Sequence, residues 1–263
     1  MTTRDRRRIK LLIAYNGTHY HGWQLQSRAV TVQGTLEACL ARITNAPVRL
    51  HAAGRTDAGV HALGQVAHFD TVSSVAIASL VRGLNSLLPD DLVVRRAVEA
   101  PADFHARYDA ARKTYAYQLH NHPVPSLLHA RYAWHVPQRL DVPAMQTAAQ
   151  LLLGRHDFSA FRGASRDDTR QPVRCLHRLA LRHRPPRLVF VLSADGFLYR
   201  MARNIVGTLV AVGRGAMPAE AVAGMLHARE RQLAGPTAPA HGLFLVHVSY
   251  RRGKACMFSA GGR

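Results

Sequence analysis

The order of predicted elements limits the fold of this chain more than any other feature of its sequence. Alternating and helical spacings of apolar side chains mark six elements in the first hundred residues. They are a strand at 8–15, a helix at 31–44, an extended run at 48–54, a strand at 61–70, a helix at 75–88 and a strand at 92–98. The order βαββαβ is that of the ferredoxin-like unit, an antiparallel sheet with both helices on one face.

The same order of element types begins again after a polar connection at 99–110. The second series is a strand at 113–121, a helix at 142–154, a hairpin of strands at 173–182 and 187–194, a helix at 199–215, an extra helix at 218–229 and a last strand at 242–250. We therefore predict an α+β protein of two tandem ferredoxin-like units, residues 1–105 and 106–263. Each sheet would have one open face, on which RNA lies in recognition modules of this topology.

The charge of the chain indicates a polyanionic partner. Thirty-five Lys and Arg against sixteen Asp and Glu give a formal net charge of +19, and phosphate neutralisation with counterion release is how such a surplus favours binding. A membrane surface would also suit this charge. No apolar run approaches the roughly 18 residues of a membrane span, and no secretion signal follows the basic N-terminus. Cys39, Cys175 and Cys256 are too few and too far apart for a disulfide framework, so we expect a cytoplasmic protein.

The stretch GRTDAGVHA (54–62) contains the strongest candidate for chemistry, Asp57. A lone Asp near a glycine is usually the polar tip of a turn, whose carboxylate accepts a local backbone N–H. Arg55, two residues earlier, favours a functional interpretation, because an arginine can hold a carboxylate ionised and can also reach a phosphate. The residues alone leave both interpretations open.

Other candidate residues are weaker. The fragments HYHGW (19–23) and HNH (120–122) resemble metal-binding pieces, but further ligands at suitable spacing do not follow them, so we predict no metal site. Tyr115 and Tyr117 share one face of a predicted strand, where packing against helices and stacking on a base are both open. Arg203 lies in a largely apolar helix, where a charge is costly unless it is paired.

Six segments together resemble the tRNA pseudouridine synthase A family. They are YNGTHYHGWQ (15–24), AAGRTDAGVHALGQVAHF (52–69), ARKTYAYQL (111–119), HDFSAFR (156–162), FLYRMARNIVG (197–207) and APAHGLFLVHVSY (238–250). The resemblance covers nearly the whole chain in order. It implies two ferredoxin-like halves that share an extended antiparallel sheet with the active-site cleft between them. It also implies a homodimer, no cofactor, and conversion of uridine to pseudouridine at positions 38 to 40 in the anticodon stem-loop of tRNA.

The resemblance also implies roles for four residues. The catalytic aspartate of the family falls on Asp57, and the arginine that helps to displace the target nucleotide falls on Arg55. The tyrosine that stacks on the base falls on Tyr115, and the arginine that pairs with the catalytic carboxylate falls on Arg203. His241 departs from the family, which more often has an acidic or small residue there.

Two routes for Asp57 and two other classes of function stay open at this stage. The carboxylate could attack C1′ of the ribose or remove the C2′ proton. A non-catalytic RNA-binding or RNA-folding protein would use the same basic surfaces, and a metal nuclease built on the histidine pairs is a third, weaker alternative.

Overall fold

The first half of the chain forms the βαββαβ series that the sequence predicts. The structure is a computed structural model that describes residues 6–164 and 171–251. The elements are β1 (Arg7–Tyr15), α1 (Val32–Thr44), β2 (His51–Ala52), β3 (His61–Thr71), α2 (Ile77–Leu87) and β4 (Leu92–Ala100). The chain divides into two compact units, of which unit 1 is Met1–Ala111 with Leu245–Arg263 and unit 2 is Arg112–Phe244.

The sheet of unit 1 is antiparallel, with β1 between β4 and β3 and with β2 on the other side of β3. Alternate residues of β1, Ile9, Leu11 and Ile13, are fully buried, as expected for a strand with one face on a core. Helix α1 begins after Thr31, whose hydroxyl accepts the N–H of Gly34 at 3.2 Å and so caps the helix. The two helices pack together where Gly83 of α2 meets Ile43 of α1.

Strand β3 is more buried than its alternating sequence predicts. All residues from Gly64 to Phe69 are buried, including Gln65 and His68. The reason is that both faces of the strand are covered. Gln65 shares the face of Ile13 of β1 and donates to the carbonyl of Gly54 at 2.8 Å. His68 is on the opposite face and accepts the N–H of Ala106 at 3.1 Å.

The strands of unit 2 are mostly antiparallel, and its described residues contain three helices, one more than a βαββαβ series has. Its elements are β5 (Ala110–Asn121), β6 (Trp134–Val136), α3 (Val142–Leu151), β7 (Gly154–Asp157), β8 (Val173–Arg184), β9 (Arg187–Ala194), α4 (Met201–Gly213) and α5 (Ala221–Ala228). The strand order is β5-β9-β8-β7, and β6 pairs with β5 in parallel. The sequence did not predict β6 and β7, which are only three and four residues long.

Helix α4 forms the core of unit 2. Every residue from Asn204 to Gly213 is buried, which explains its almost continuous apolar sequence. Helix α3 ends at Leu151, three residues before the predicted end, and Gly154 then takes a φ of 99° as β7 begins. Such a backbone conformation favours glycine. The last residues of the predicted helix therefore lie in a turn and not in the helix.

The last strand, β10 (Leu243–Tyr250), returns to unit 1 from Leu245 onward and pairs with β3. Its backbone comes so close that a Cβ on Gly64 of β3 would lie 2.3 Å from the carbonyl oxygen of Val246. The hydroxyl of Tyr250 donates to the carbonyl of Ala106 at 2.9 Å. The domain ranges 1–105 and 106–263, and the sheet shared between the halves, stay predictions.

Candidate active site

Asp57 is the first residue of a tight turn that leads into β3. Its carbonyl accepts the N–H of Val60 at 3.1 Å, and Gly59 has a φ of 77°. A positive φ at the third position is typical of a type II turn and favours glycine. The side chain of Asp57 is neither buried nor fully exposed, whereas Thr56 and Val60 on either side are buried. The turn therefore fixes the backbone of Asp57 and leaves the residue partly exposed.

The loop between β1 and α1 holds this turn from one side. The N–H of Trp23 donates to the carbonyl of Thr56 at 3.1 Å, and the N–H of Gly59 donates to the carbonyl of Tyr20 at 3.4 Å. Gly22 has a φ of 85°, and a Cβ there would lie 2.6 Å from the carbonyl oxygen of Thr56. The HYHGW stretch thus supports the Asp57 turn through its backbone.

Strands β1 and β3 hold the turn from the other side. The hydroxyls of Tyr15 and Thr56 are 2.8 Å apart, and burial raises the pKa of Tyr15 to about 12, so this phenol stays neutral at ordinary pH. On β3, Gln65 donates to the carbonyl of Gly54 at 2.8 Å, and the carbonyl of Val66 accepts the N–H of Ala53 at 2.7 Å. Residues 53–60 are therefore anchored at both ends and in the middle.

Arg55 lies in the same loop, two residues before Asp57. Its side chain is exposed, whereas that of the next residue, Thr56, is buried. An extended backbone places successive side chains on opposite faces, so Thr56 packs inward while Arg55 points to solvent. This position suits a contact with RNA.

Tyr115 and Tyr117 are both buried on one face of β5, as the alternation predicts. The ring of Tyr115 packs edge-on against Phe197, with centroids 4.9 Å apart and planes at 80°. Tyr117 is fully buried, and its hydroxyl donates to the carbonyl of Pro239 at 2.9 Å. Tyr115 retains 6% exposure, so it too belongs to the buried face of the strand.

Arg203 lies in the first turn of α4 and is partly buried. Its Nε–H donates to the carbonyl of Ala238 at 2.8 Å. Arg200, the other arginine of this stretch, directly precedes the helix with a φ of 58° and places its guanidinium 4.8 Å from the centroid of the Tyr199 ring. The charge of Arg200 is thus at the exposed end of the helix, and only Arg203 enters the interior.

The four predicted site residues fall into two pairs. Arg55 and Asp57 share one loop of unit 1, and Tyr115 and Arg203 belong to unit 2. Within unit 2, Arg203 and Tyr117 donate to the neighbouring carbonyls of Ala238 and Pro239, so the segment at 238–239 ties α4 to β5. A single site formed by all four residues is part of our proposal below.

Sequence reasoning missed the supporting residues. Tyr15 contacts the 53–60 loop through its hydroxyl, Gln65 through its side-chain amide, and Gly22 and Trp23 through their backbone. Such contacts between separate segments leave no short-range pattern in the sequence. The glycine in HGW was the one feature of the sequence that could have indicated such a contact. His241 is partly buried, with Nε2 3.2 Å from the carbonyl of Ala133.

The histidine fragments contact their own loops. His120 and His122 both lie within hydrogen-bond distance of the carbonyl of Val124, at 3.2 and 3.1 Å. Within residues 6–164 and 171–251, no group of three or more His, Cys, Asp or Glu side chains is arranged to hold a metal ion. Of the helices described, none has the length and hydropathy needed to cross a membrane.

Comparison with known proteins identifies the class. Residues 11–109 and 148–251 match the family model described as tRNA pseudouridine synthase. Three proteins named tRNA pseudouridine synthase A are similar to this chain over most of its length. The one from Acetivibrio thermocellus is 46% identical over 93% of this chain and 100% of its own, the one from Moorella thermoacetica 46% over 92% and 99%, and the one from Burkholderia multivorans 48% over 92% and 90%.

These matches make the chain an enzyme of the isomerase class, a pseudouridine synthase that acts on tRNA. The chain belongs to the tRNA pseudouridine synthase A family. The resemblance seen in the sequence is therefore confirmed, and so is the α+β fold class.

Proposed function

We propose that this protein converts uridine to pseudouridine at positions 38 to 40 in the anticodon stem-loop of tRNA, with Asp57 acting at the ribose. The observation that carries the proposal is the construction of the Asp57 turn. Hydrogen bonds from both flanks fix its backbone, and the residue is left partly exposed. A carboxylate held in this way is pre-organised for one geometry of attack.

The reaction needs only one carboxylate. The N1–C1′ bond of uridine breaks, the uracil turns, and a C5–C1′ bond forms, while the proton of C5 leaves and N1 gains one. No water is added, so no second carboxylate is needed to activate it, unlike in glycoside hydrolysis. Asp57 either attacks C1′ or removes the C2′ proton, and both routes require it to be ionised.

The other three residues receive roles consistent with their positions. Arg55 is exposed beside Asp57 and is suited to displace the target nucleotide from the stem, which must be extruded before its ribose can be reached. Tyr115 offers a ring on which the detached uracil can stack. In this proposal Arg203 pairs with the carboxylate of Asp57.

The partners follow from the same account. The net charge of +19 favours tRNA through phosphate contacts, and we propose that the enzyme works as a cytoplasmic homodimer without a cofactor. The charge alone would equally suit a non-catalytic RNA-binding protein. That alternative predicts tRNA binding without any change in the RNA.

The test is incubation of purified protein with an unmodified tRNA transcript in the presence of a chelator, followed by carbodiimide labelling and primer extension. The expected result is pseudouridine at one or more of positions 38 to 40, with RNA length unchanged. A transcript with cytidine at those three positions is the control and should stay unlabelled. Binding without labelling would favour the non-catalytic alternative, and a shortened RNA would indicate a nuclease.

A further inference from the structure

Arg203 is held at both its backbone and its side chain by a single residue. Its Nε–H donates to the carbonyl of Ala238 at 2.8 Å, and the N–H of Ala238 donates to the carbonyl of Arg203 at 3.2 Å. The direction of the guanidinium therefore depends on where Ala238 lies. The contacts that fix Ala238 therefore also set the direction of the Arg203 side chain.

Ala238 belongs to the segment 231–239, which crosses α4 and contains an arginine of its own. The guanidinium of Arg231 makes four hydrogen bonds within unit 2. Nη1 donates to the carbonyls of Ala234 and Gly235 at 3.1 and 3.0 Å, and Nη2 donates to Oδ1 of Asn204 and Oγ1 of Thr237, both at 3.2 Å. Arg231 thus folds the 231–239 segment around itself and fastens it to α4.

The fastening point on the helix is the residue next to Arg203. Asn204 is fully buried, accepts the hydroxyl of Thr237 at 2.6 Å, and donates to the carbonyl of Phe161 at 2.8 Å. Oδ1 of Asn204 therefore receives both Arg231 and Thr237. Movement of the 231–239 segment would break this buried network before it displaced the carbonyl of Ala238.

The segment also lies against α4 without free space. A Cβ on Gly207 would lie 1.7 Å from the carbonyl oxygen of Pro236, and a Cβ on Gly235 would lie 2.7 Å from Cα of Thr208. The N–H of Gly235 donates to Oγ1 of Thr208 at 2.9 Å. Close packing of this kind leaves one arrangement of the segment.

We propose that Arg231 is a positioning residue for Arg203, and that it acts by fixing the carbonyl of Ala238. The inference rests on the proposed pairing of Arg203 with the catalytic carboxylate. All four acceptors of Arg231 named above are neutral oxygens, so the residue contributes the planar fork of its donors. Lysine keeps the charge and cannot supply that fork.

The first test measures the side chain of Arg203 directly. In ¹⁵N-labelled protein, exchange of the Arg203 Nε–H with solvent is followed by NMR, with the signal assigned from the Arg203→Lys variant. We expect Arg231→Lys to speed this exchange at least tenfold. Arg229→Lys is the matched control, because Arg229 is exposed, lies two residues earlier, and pairs with Asp157 at 3.3 Å. In the Arg229→Lys variant, exchange of the Arg203 Nε–H should equal that of the wild type.

The second test separates positioning from substrate binding. Displacement of a group that acts in the transition state by about 1 Å lowers turnover roughly 10- to 100-fold, so Arg231→Lys should lose kcat by that factor. KM for tRNA should stay within about threefold, because ground-state binding is unchanged. In an Arg203→Lys background the Arg231→Lys change should lower kcat little further, since the effects of coupled residues are not additive.

The outcomes distinguish this inference from the proposed function. A wild-type protein that makes no pseudouridine refutes the proposed function. Unchanged Arg203 exchange in folded Arg231→Lys, with an active wild type, refutes the positioning role. If Arg231→Lys does not fold, Thr237→Val removes one acceptor of Arg231 and one donor to Asn204, and the same exchange measurement on that variant decides.

Discussion

The hydroxyls of Tyr15 and Thr56 are 2.8 Å apart in the interior of unit 1. Tyr15 is the last residue of β1, and Thr56 directly precedes Asp57 in the turn. This bond joins the sheet to the residue beside the proposed catalytic carboxylate. The position of Asp57 therefore depends on buried contacts that no substrate touches.

Replacement of Tyr15 by phenylalanine should test this dependence. It leaves the buried hydroxyl of Thr56 without this partner, so we expect unfolding to become easier by about 1–2 kcal/mol and kcat to fall roughly tenfold. Tyr20→Phe is the control, because Tyr20 is as buried and its hydroxyl donates to Asp91 at 2.7 Å, outside the turn. Equal turnover by the two variants would show that the Tyr15 bond does not position Asp57.

Gly22→Ala should damage the turn more severely. The φ of 85° is unfavourable for alanine, and the added Cβ would lie 2.6 Å from the carbonyl oxygen of Thr56. We expect a loss of roughly 2–5 kcal/mol in the free energy of unfolding together with most of the activity. The same change at Gly224 of α5, where a Cβ would meet nothing within 4 Å, should be neutral or slightly stabilising. Thermal unfolding and a turnover assay measure both, and a wild-type melting temperature for Gly22→Ala would contradict the structure.

His68 should make the stability of unit 1 fall as the pH drops. Burial, with contributions from His105, Arg8 and His51, lowers the pKa of His68 to about 4, against about 6.5 in the unfolded chain. Between these values the unfolded state binds the extra proton, so this contribution to stability is complete above pH 6.5 and is lost toward pH 4. It amounts to at most roughly 3 kcal/mol.

His68→Asn keeps an acceptor for the N–H of Ala106 and removes the titration. Denaturant unfolding at several pH values should then show a flatter profile between pH 6.5 and pH 4 than in the wild type. His183→Asn, at an exposed position of β8, should leave the profile unchanged. An identical slope for His68→Asn and the wild type would mean that His68 does not stay neutral in the folded protein.

Tyr115 should behave as a stacking platform. Tyr115→Phe keeps the ring and should bind tRNA normally, whereas Tyr115→Leu should lower kcat at least about tenfold, because base stacking contributes on the order of 1–3 kcal/mol. Phe190→Leu on β9 is matched for a lost buried ring and should change stability alone. Near-normal single-turnover rates for folded Tyr115→Leu would leave the residue with a packing role only.

Much of the fold could be predicted because it depends on the spacing of apolar residues within short segments of the sequence. The alternation in β1 and the apolar face of α1 lie within about a dozen residues, and the structure places both elements within one residue of their predicted bounds. Strand β6 could not be predicted, because three residues carry no usable period. The burial of Gln65 and His68 depends on contacts with Gly54 and Ala106, which lie outside the strand, so the sequence of β3 alone indicated a half-buried strand.

The candidate site divides in the same way. Asp57 and Arg55 were visible as a short motif, and family resemblance supplied Tyr115 and Arg203. The contacts that hold these residues, such as Gly22 against Thr56 and Arg231 against Asn204, join positions 27 to 34 residues apart. Only the folded chain brings such pairs together.

The most direct test of the account replaces the carboxylate of Asp57 by an amide of the same size. Wild-type protein and Asp57→Asn are incubated with tRNA, and pseudouridine at positions 38 to 40 is mapped alongside the tRNA dissociation constant. The account predicts no detectable pseudouridine from Asp57→Asn, with a dissociation constant within about threefold of the wild type, because the loss falls on the chemical step. Substantial pseudouridine formation by the folded variant would contradict the assignment of Asp57 as the residue that acts at the ribose.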